Sequence, residues 1–301
     1  MLYSFPNETK LDIFKCLNYQ QLLAFKLSNV YFRNFVIKYE GEFAKEKFNM
    51  ISLFKNGFEY PIPLFLSGHG PGKEDLILET VDKGEEYILK LPAMIKSKED
   101  IGIVYYYLSK LFKCIFKCSY FEDYIINPEV IELLFGEAKQ FYVQNCNISA
   151  QDYNIDILMQ FILNNLVSEY HRITLWPMDD ASMKNYKNDL FKILLYGGDK
   201  FRKEVYVTLY STPGFTKDVY NHIVEYVATS KDFSKMVPVI ILHFDSCTTL
   251  KLHDKAKNAE IKKSDDTKST TYQVVNIHDP TVKFSFCNEE SFYVKIKIMK
   301  E

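Results

Sequence analysis

The sequence predicts a mixed α/β fold. Three short N-terminal helices lead into an irregular α/β repeat on a parallel sheet, which ends in a C-terminal antiparallel extension. Three observations predict it. Apolar residues recur at helical spacing in three short runs before residue 40. Strand-like runs then recur with helices between them: Tyr142 to Thr174 and Thr174 to Tyr206 are each 32 residues apart, and Thr208 to Ile241 is 33. A fixed period of strand and helix signals stacked units with a parallel sheet, joined by right-handed crossovers. Three last strand-like runs, 272–278, 282–287 and 292–298, are separated by turn residues at Asp279-Pro280 and Asn288-Glu289-Glu290.

The first helix is read from Asn7, whose side chain can accept an orphan backbone N–H as an N-cap. Glu8 suits the positive end of the helix dipole. Leu11 with Phe14 and Ile13 with Leu17 make a wide apolar stripe. Asn18-Tyr19 breaks the pattern, Leu22, Leu23 and Leu27 restart it, Asn29 breaks it again, and Phe32, Phe35 and Val36 carry a third helix. So small a segment cannot bury a large core. Its apolar face is kept for the rest of the chain or for a partner.

This stretch resembles an F-box, the motif that binds the Skp adaptor of cullin–RING ubiquitin ligases of the SCF type. The family's Leu-Pro-x-Glu stands here as Phe5-Pro6-Asn7-Glu8, and its Leu-x-Ile-Phe-x-x-Leu as Leu11-Asp12-Ile13-Phe14-Lys15-Cys16-Leu17. The Leu-Leu pair is Leu22-Leu23 and the downstream aromatic is Phe32. The ending Leu27-Ser28-Asn29-x-Tyr31-Phe32 resembles large nematode F-box families. The chain departs from the pattern at Thr9 and Lys10, where two leucines are usual, and at Ser28-Asn29, where Val-Cys is usual. The resemblance implies an F-box over 1–45, with Phe5, Pro6, Ile13, Phe14, Leu17, Leu22, Leu23 and Leu27 as adaptor contacts, and a recognition domain over 46–301.

Composition narrows the classes. A formal charge of −2 and a pI near 6.3 give no broad nucleic-acid footprint. There is no run of eighteen apolar residues for a membrane span and no signal-peptide pattern. Six cysteines without a framework spacing point to a reducing compartment, cytoplasmic or nuclear. Aromatics at 16% imply a large core or an adhesive recognition surface.

Within the body, 45–59 reads as a helix that turns at Asn56-Gly57, and 67–72 as a loop. The runs 76–81 and 87–91 form a hairpin about Asp82-Lys83-Gly84, and 101–116 is a strongly apolar helix. The repeat's strands are 141–145, 173–177, 205–210 and 239–244. Its helices are capped by Ser149, Asp180 and Thr216. Tyr153, Ile157 and Phe161 line the first, Met183, Tyr186, Leu190 and Leu194 the second, and Val219, Tyr220, Ile223, Val224 and Val227 the third. Gly197-Gly198 ends the second. The segment 251–271 is charged and reads as a flexible loop.

Strands covered on both faces read as continuous apolar runs. The first three strands alternate instead, which leaves one face open and resembles a leucine-rich-repeat (LRR-like) arc, although the Leu-x-x-Leu-x-Leu-x-x-Asn signature is absent. The open face carries Tyr142, Gln144, Thr174, Trp176, Tyr206, Thr208 and Tyr210, candidates for holding a target protein. Alternatively, the C-terminal strands or the 251–270 segment fold over these residues as a second core. The fourth strand is apolar apart from His243 and is expected to be covered by the C-terminal part.

Catalytic patterns are thin. The run Ser67 to Lys73 lacks the first glycine and the terminal Ser or Thr of a phosphate loop, and reads as a turn. Cys114 and Cys118 share a helix face with no metal-spaced partner and read as structural thiols. A Ser211, His243 and Asp245 set lacks the Gly-x-Ser-x-Gly elbow of a hydrolase, and Ser211 to Gly214 reads as a turn. The expectation is a non-enzymatic substrate-recognition subunit that needs no cofactor or metal. It would bind the Skp adaptor, and through it the cullin–RING ligase, and present a target protein, without nucleic-acid or membrane partners. The alternatives are a stand-alone interaction protein and a small α/β hydrolase.

Overall fold

A computed structural model describes residues 5–17, 19–39, 46–54, 62–63, 65–67, 76–82, 85–91, 94–95, 97–122, 124–151, 155–176, 180–210, 213–244, 252–264 and 266–301. Three helices come first, α1 (Asn7–Lys15), α2 (Tyr19–Ser28) and α3 (Val30–Lys38). Phe14, Leu22, Phe32, Phe35 and Val36 form their own small core, separate from that of the body. Asn29 starts α3 by accepting the Phe32 N–H at 3.0 Å. Asn7 does not cap α1. Pro6 holds that position without a side-chain bond, and Asn7 is the first helical residue.

The body is a mixed α/β unit. Its strands are β1 (Glu46–Phe54), β2 (Ile62–Pro63), β3 (Phe65–Ser67), β4 (Leu76–Asp82), β5 (Glu85–Leu91), β6 (Met94–Ile95), β7 (Cys114–Glu122), β8 (Tyr124–Ile126), β9 (Phe141–Gln151), β10 (Leu166–Trp176), β11 (Phe201–Leu209), β12 (Val239–Phe244), β13 (Ala256–Lys263), β14 (Lys268–Val275), β15 (Lys283–Glu290) and β16 (Val294–Lys300). The helices are α4 (Lys98–Leu111), α5 (Pro128–Phe135), α6 (Ile155–Asn165), α7 (Asp180–Tyr196) and α8 (Pro213–Thr229). One 12-stranded sheet runs β13-β14-β15-β16-β12-β11-β10-β9-β7-β1-β4-β5, beside two short two-stranded pairs. The strands from β1 through β7, β9, β10 and β11 to β12 pair in parallel. Antiparallel strands continue the sheet at both edges.

Each of α6, α7 and α8 joins one parallel strand to its immediate neighbour, and α5 through α8 touch in sequence. Crossovers of one hand, always stepping the same way, stack their helices on one face. That face is buried from β7 to β14. One cross-strand row reads Ser119, Cys146, His171, Val205 and Ile240, then Ile298, Phe286 and Tyr272 in the extension. The next reads Phe121, Ile148, Ile173, Val207 and Leu242, then Ile296. All of these are buried.

Several expectations are corrected. The stretch 45–59 carries strand β1, because its backbone pairs with β7 and β4. Residues 101–116 are not one helix. A Ser97–Asp100 capping box starts α4, which stops at Leu111, and β7 begins at Cys114. Cys114 and Cys118 therefore lie on a strand. Its isoleucine and aromatic residues favour a strand, and pairing with β1 and β9 decides it here. Ser149 lies inside β9, with α6 starting only at Ile155. Thr216 lies inside α8, which starts at Pro213, where a fixed φ suits the first helical position. Pro213 and Gly214 are thus helical, and Ser211 and Thr212 lie outside the described residues. Asp180 is the first residue of α7.

The 251–271 segment holds β13 and the start of β14. β13 is an exposed edge strand paired on one side only, so no apolar alternation betrays it, and its lysines blunt the free edge. Residues 288–290 belong to β15, with the turn following at Ser291. The C-terminal strands extend the sheet beside β12, and Tyr293, just before β16, packs on His243 of β12. The sequence period is not the structural register: Thr174 faces Ser149, 25 residues back, and Thr208, 34 ahead.

Other expectations hold. The hairpin of β4 and β5 forms. The named residues of α8 are buried, as are Tyr186, Leu190 and Leu194 of α7 and Phe161 of α6. α7 ends at Gly197-Gly198 because no side chain fits: a Cβ on Gly197 would sit 2.3 Å from the Ile193 carbonyl oxygen. The 67–72 loop lies outside the described residues beyond Ser67, as do Met183's side chain and Tyr153.

Candidate functional site

The sheet face opposite the helices is where exposed aromatic and charged side chains gather. Its side chains come from the positions between the buried rows, because a strand alternates. One outer row reads Tyr120, Asn147, Arg172, Tyr206, Ile241 and Lys297. The next reads Ser149, Thr174, Thr208, His243 and Lys295. At the end of β10, Trp176 stacks on Tyr210 with ring centroids 3.5 Å apart and planes 8° apart, yet Trp176 is 46% exposed. The Tyr210 N–H donates to the Leu175 carbonyl at 3.1 Å, which fixes the pair.

Across the middle of the face, the Arg172 guanidinium lies 4.7 Å from the Tyr206 ring centroid. Tyr206 and Tyr293 both meet the His243 ring edge-on, at 6.2 and 4.8 Å. Burial raises the Tyr206 hydroxyl pKa, and the positive charges of Arg172 and Lys295 oppose that rise. At the strand entrances, Lys203 pairs with Glu169 at 2.7 Å and lies 5.2 Å from the Tyr170 ring. The Lys203 hydrogen bond holds Glu169 below the usual carboxylate range.

Of the residues expected on this face, Thr174, Trp176, Tyr206 and Tyr210 are together on it and accessible. Thr208 is on it but buried. Tyr142 and Gln144 lie further back, beyond a switch in the strand. The buried positions of β9 pass from Phe141 and Val143 to Cys146 and Ile148, so the alternation changes parity. The same switch runs from Phe116 to Ser119 in β7 and from Ser168 to His171 in β10, where the register slips. Sequence reasoning missed Arg172, Tyr120, Tyr293, Lys295 and Lys297. Arg172 was legible two residues before Thr174, whereas the lysines needed β16 to be placed beside β12.

A polar row lies inside the core. His171 is fully buried against Phe201, its Nδ1 lies 3.1 Å from the Ser168 hydroxyl, and burial pushes its pKa down to about 3. Cys146 beside it is pushed up to about 12 by burial, which favours the neutral thiol. Among the described residues no group of His, Cys, Asp or Glu could hold a metal ion, and no helix is long and apolar enough to cross a membrane. His243 sits mid-face between Tyr206 and Tyr293, while Ser211 and Asp245 lie outside the described residues.

The N-terminal residues divide. Phe14 and Leu22 are core residues of the helical unit. Phe5 and Pro6 are exposed, Ile13 and Leu17 half-buried, and Leu27 is 68% exposed with Val30, Tyr31 and Ile37 exposed nearby in sequence. The side chain of Leu23 lies outside what is described. Lys10 is covered, its ammonium donating to the Tyr31 hydroxyl and lying 5.1 Å from that ring.

A family model described as a domain of unknown function (DUF8381) matches residues 45–176, a stretch that contains β1 through β10. The chain matches no curated protein and no solved structure.

Proposed function

We propose that the chain is an F-box substrate-recognition subunit. Its N-terminal helices bind a Skp adaptor, and its LRR-like body presents a target protein to a cullin–RING ligase of the SCF type in the cytoplasm or nucleus. It performs no chemistry itself. The observation that carries the reading is the pairing of two surfaces. One is a small helical unit with its own core and exposed Phe5, Leu27, Val30 and Ile37. The other is the aromatic sheet face around Trp176, Tyr210 and Tyr206. A unit that has spent Phe14 and Leu22 on its own core still shows large apolar side chains, as a docking surface does. The LRR-like description rests on successive parallel strands with helices along one face only.

Co-expression with a Skp adaptor followed by gel filtration tests the reading. The pair should co-elute, and Pro6→Ala combined with Leu27→Asp should abolish co-elution while leaving the chain folded. Absence of any co-elution would sink it. One observation favours a stand-alone interaction protein instead: Lys10 stands where the family has leucine and is folded against Tyr31.

A further inference from the structure

We infer that the open face binds an extended acidic peptide segment whose two carboxylates are four residues apart and flank an apolar residue. This rests on the face being the target-binding surface of the proposed receptor. The row Arg172, Tyr206, Ile241, Lys297 places a cation at each end of an aromatic and apolar floor. Arg172 and Lys297 form no ion pair among the described residues, whereas Lys203 and Lys295 are paired with Glu169 and Glu289. Adjacent strands are about 4.8 Å apart, so three steps separate the cations by roughly 14 Å. An extended chain rises about 3.4 Å per residue, so side chains at i and i+4 span nearly the same distance, and both point to one face. The side chain at i+2 then falls over the half-buried Tyr206, beside Ile241, which is itself buried. Glu204 is on the neighbouring outer row, between Tyr170 and Val239, where it disfavours a third carboxylate on that side. The stacked Trp176 and Tyr210 wall the opposite side.

The test uses the full chain and fluorescein-labelled nonapeptides carrying Glu-Ala-Leu-Ala-Glu, Lys-Ala-Leu-Ala-Lys or Glu-Glu-Leu-Ala-Ala between Gly-Ser flanks, read by fluorescence anisotropy. The first peptide should bind at least about tenfold tighter than the other two. The Arg172→Glu, Lys297→Glu double variant should reverse the preference between the first two, and Arg172→Gln with Lys297→Gln should erase it. Equal binding of the three peptides, or a preference that survives charge reversal, would overturn the inference. So would a dT12 oligonucleotide that binds in place of the peptides. Adaptor co-elution is measured on the same preparations. Co-elution without an acidic preference removes this inference alone, and an acidic preference without co-elution removes the receptor reading alone.

Discussion

Trp176 and Tyr210 stack face to face at the ends of adjacent parallel strands, and nothing among the described residues closes over the indole. Such a pair contributes about 0.5–1.5 kcal/mol beyond its buried area. Trp176→Ala should therefore cost about 1 kcal/mol in urea unfolding, far less than loss of a core aromatic. Because Trp176 is the chain's single tryptophan, its emission reports on this face alone. Acrylamide should quench it in the free protein and quench it less when the face is occupied. A fully protected indole in the free chain would contradict the open face.

The antiparallel extension is tied to the helical layer through several polar contacts, among them the Asn276 amide donating to the Val227 and Ser230 carbonyls and a pair of phenols in an apolar setting. The Tyr220 and Tyr272 hydroxyls lie 2.6 Å apart, with Tyr272 stacked on Phe286 at 5.1 Å. Burial raises the pKa of both phenols, so they act as neutral partners. Each single change to Phe removes this bond and leaves the other hydroxyl with Asn288 as its side-chain partner, and should cost about 1–2 kcal/mol. The double change should cost less than the sum of the two, with a coupling of about 1 kcal/mol or more. Additive losses in a double-mutant cycle would show that the two hydroxyls are satisfied independently.

Stability should depend on pH at both ends. His171 has its folded pKa pushed down to about 3, against an ordinary 6.5, so the unfolded chain binds the extra proton between these values. Its contribution is present above about pH 6.5 and is lost as pH falls, by roughly 3–5 kcal/mol at full development. Cys146 runs the other way. Its folded pKa is raised to about 12 from an ordinary 9.0, so its contribution is present below pH 9 and is lost as pH rises toward 12. The melting temperature should plateau near pH 7–8.5, and His171→Leu should flatten the acid limb. An acid limb unchanged by that substitution would assign it to carboxylates instead.

Helix faces were legible wherever burial was one-sided. Val219 to Val227 and Leu190 with Leu194 repeat at helical spacing because each helix meets the sheet along a single stripe. The repeat's strands were legible only in part: the first half of β9, the second halves of β10 and β11, and the whole of β12. The parity switch at Val143–Cys146 and Ser168–His171 breaks the alternation, so the second half of β9 and the first half of β10 did not continue the period of the halves that were read. β1 and the first residues of β7 were read as helix because their pairing is with residues far along the chain, and pairing leaves no local mark. β13 was read as a loop because an edge strand exposed along its whole length has no core-facing pattern. On the face itself the aromatics were visible, but the row joining Arg172 to Lys297 spans 125 residues of sequence and exists only through register.

The N-terminal helices allow a separation between folding and docking. Phe14 sits at the centre of the helical unit, with Phe25, Phe32 and Phe35 rings 5.0, 5.9 and 5.3 Å away. Phe14→Ala should leave a cavity costing about 3–5 kcal/mol, more than a unit this small can lose. Its helical signal should collapse while the body, with its own core, stays folded. Leu27 is exposed, so Leu27→Asp should leave the melting curve within about 0.5 kcal/mol of the parent. Adaptor co-elution should be lost in both variants, but only Phe14→Ala should lose it through unfolding. Lys10→Leu supplies the opposite arm. It removes the contact with Tyr31 and restores the leucine of the resembled motif, so it should strengthen adaptor binding if this surface docks. Unchanged co-elution in Leu27→Asp and Lys10→Leu together would leave the helices as a structural appendage to the repeat.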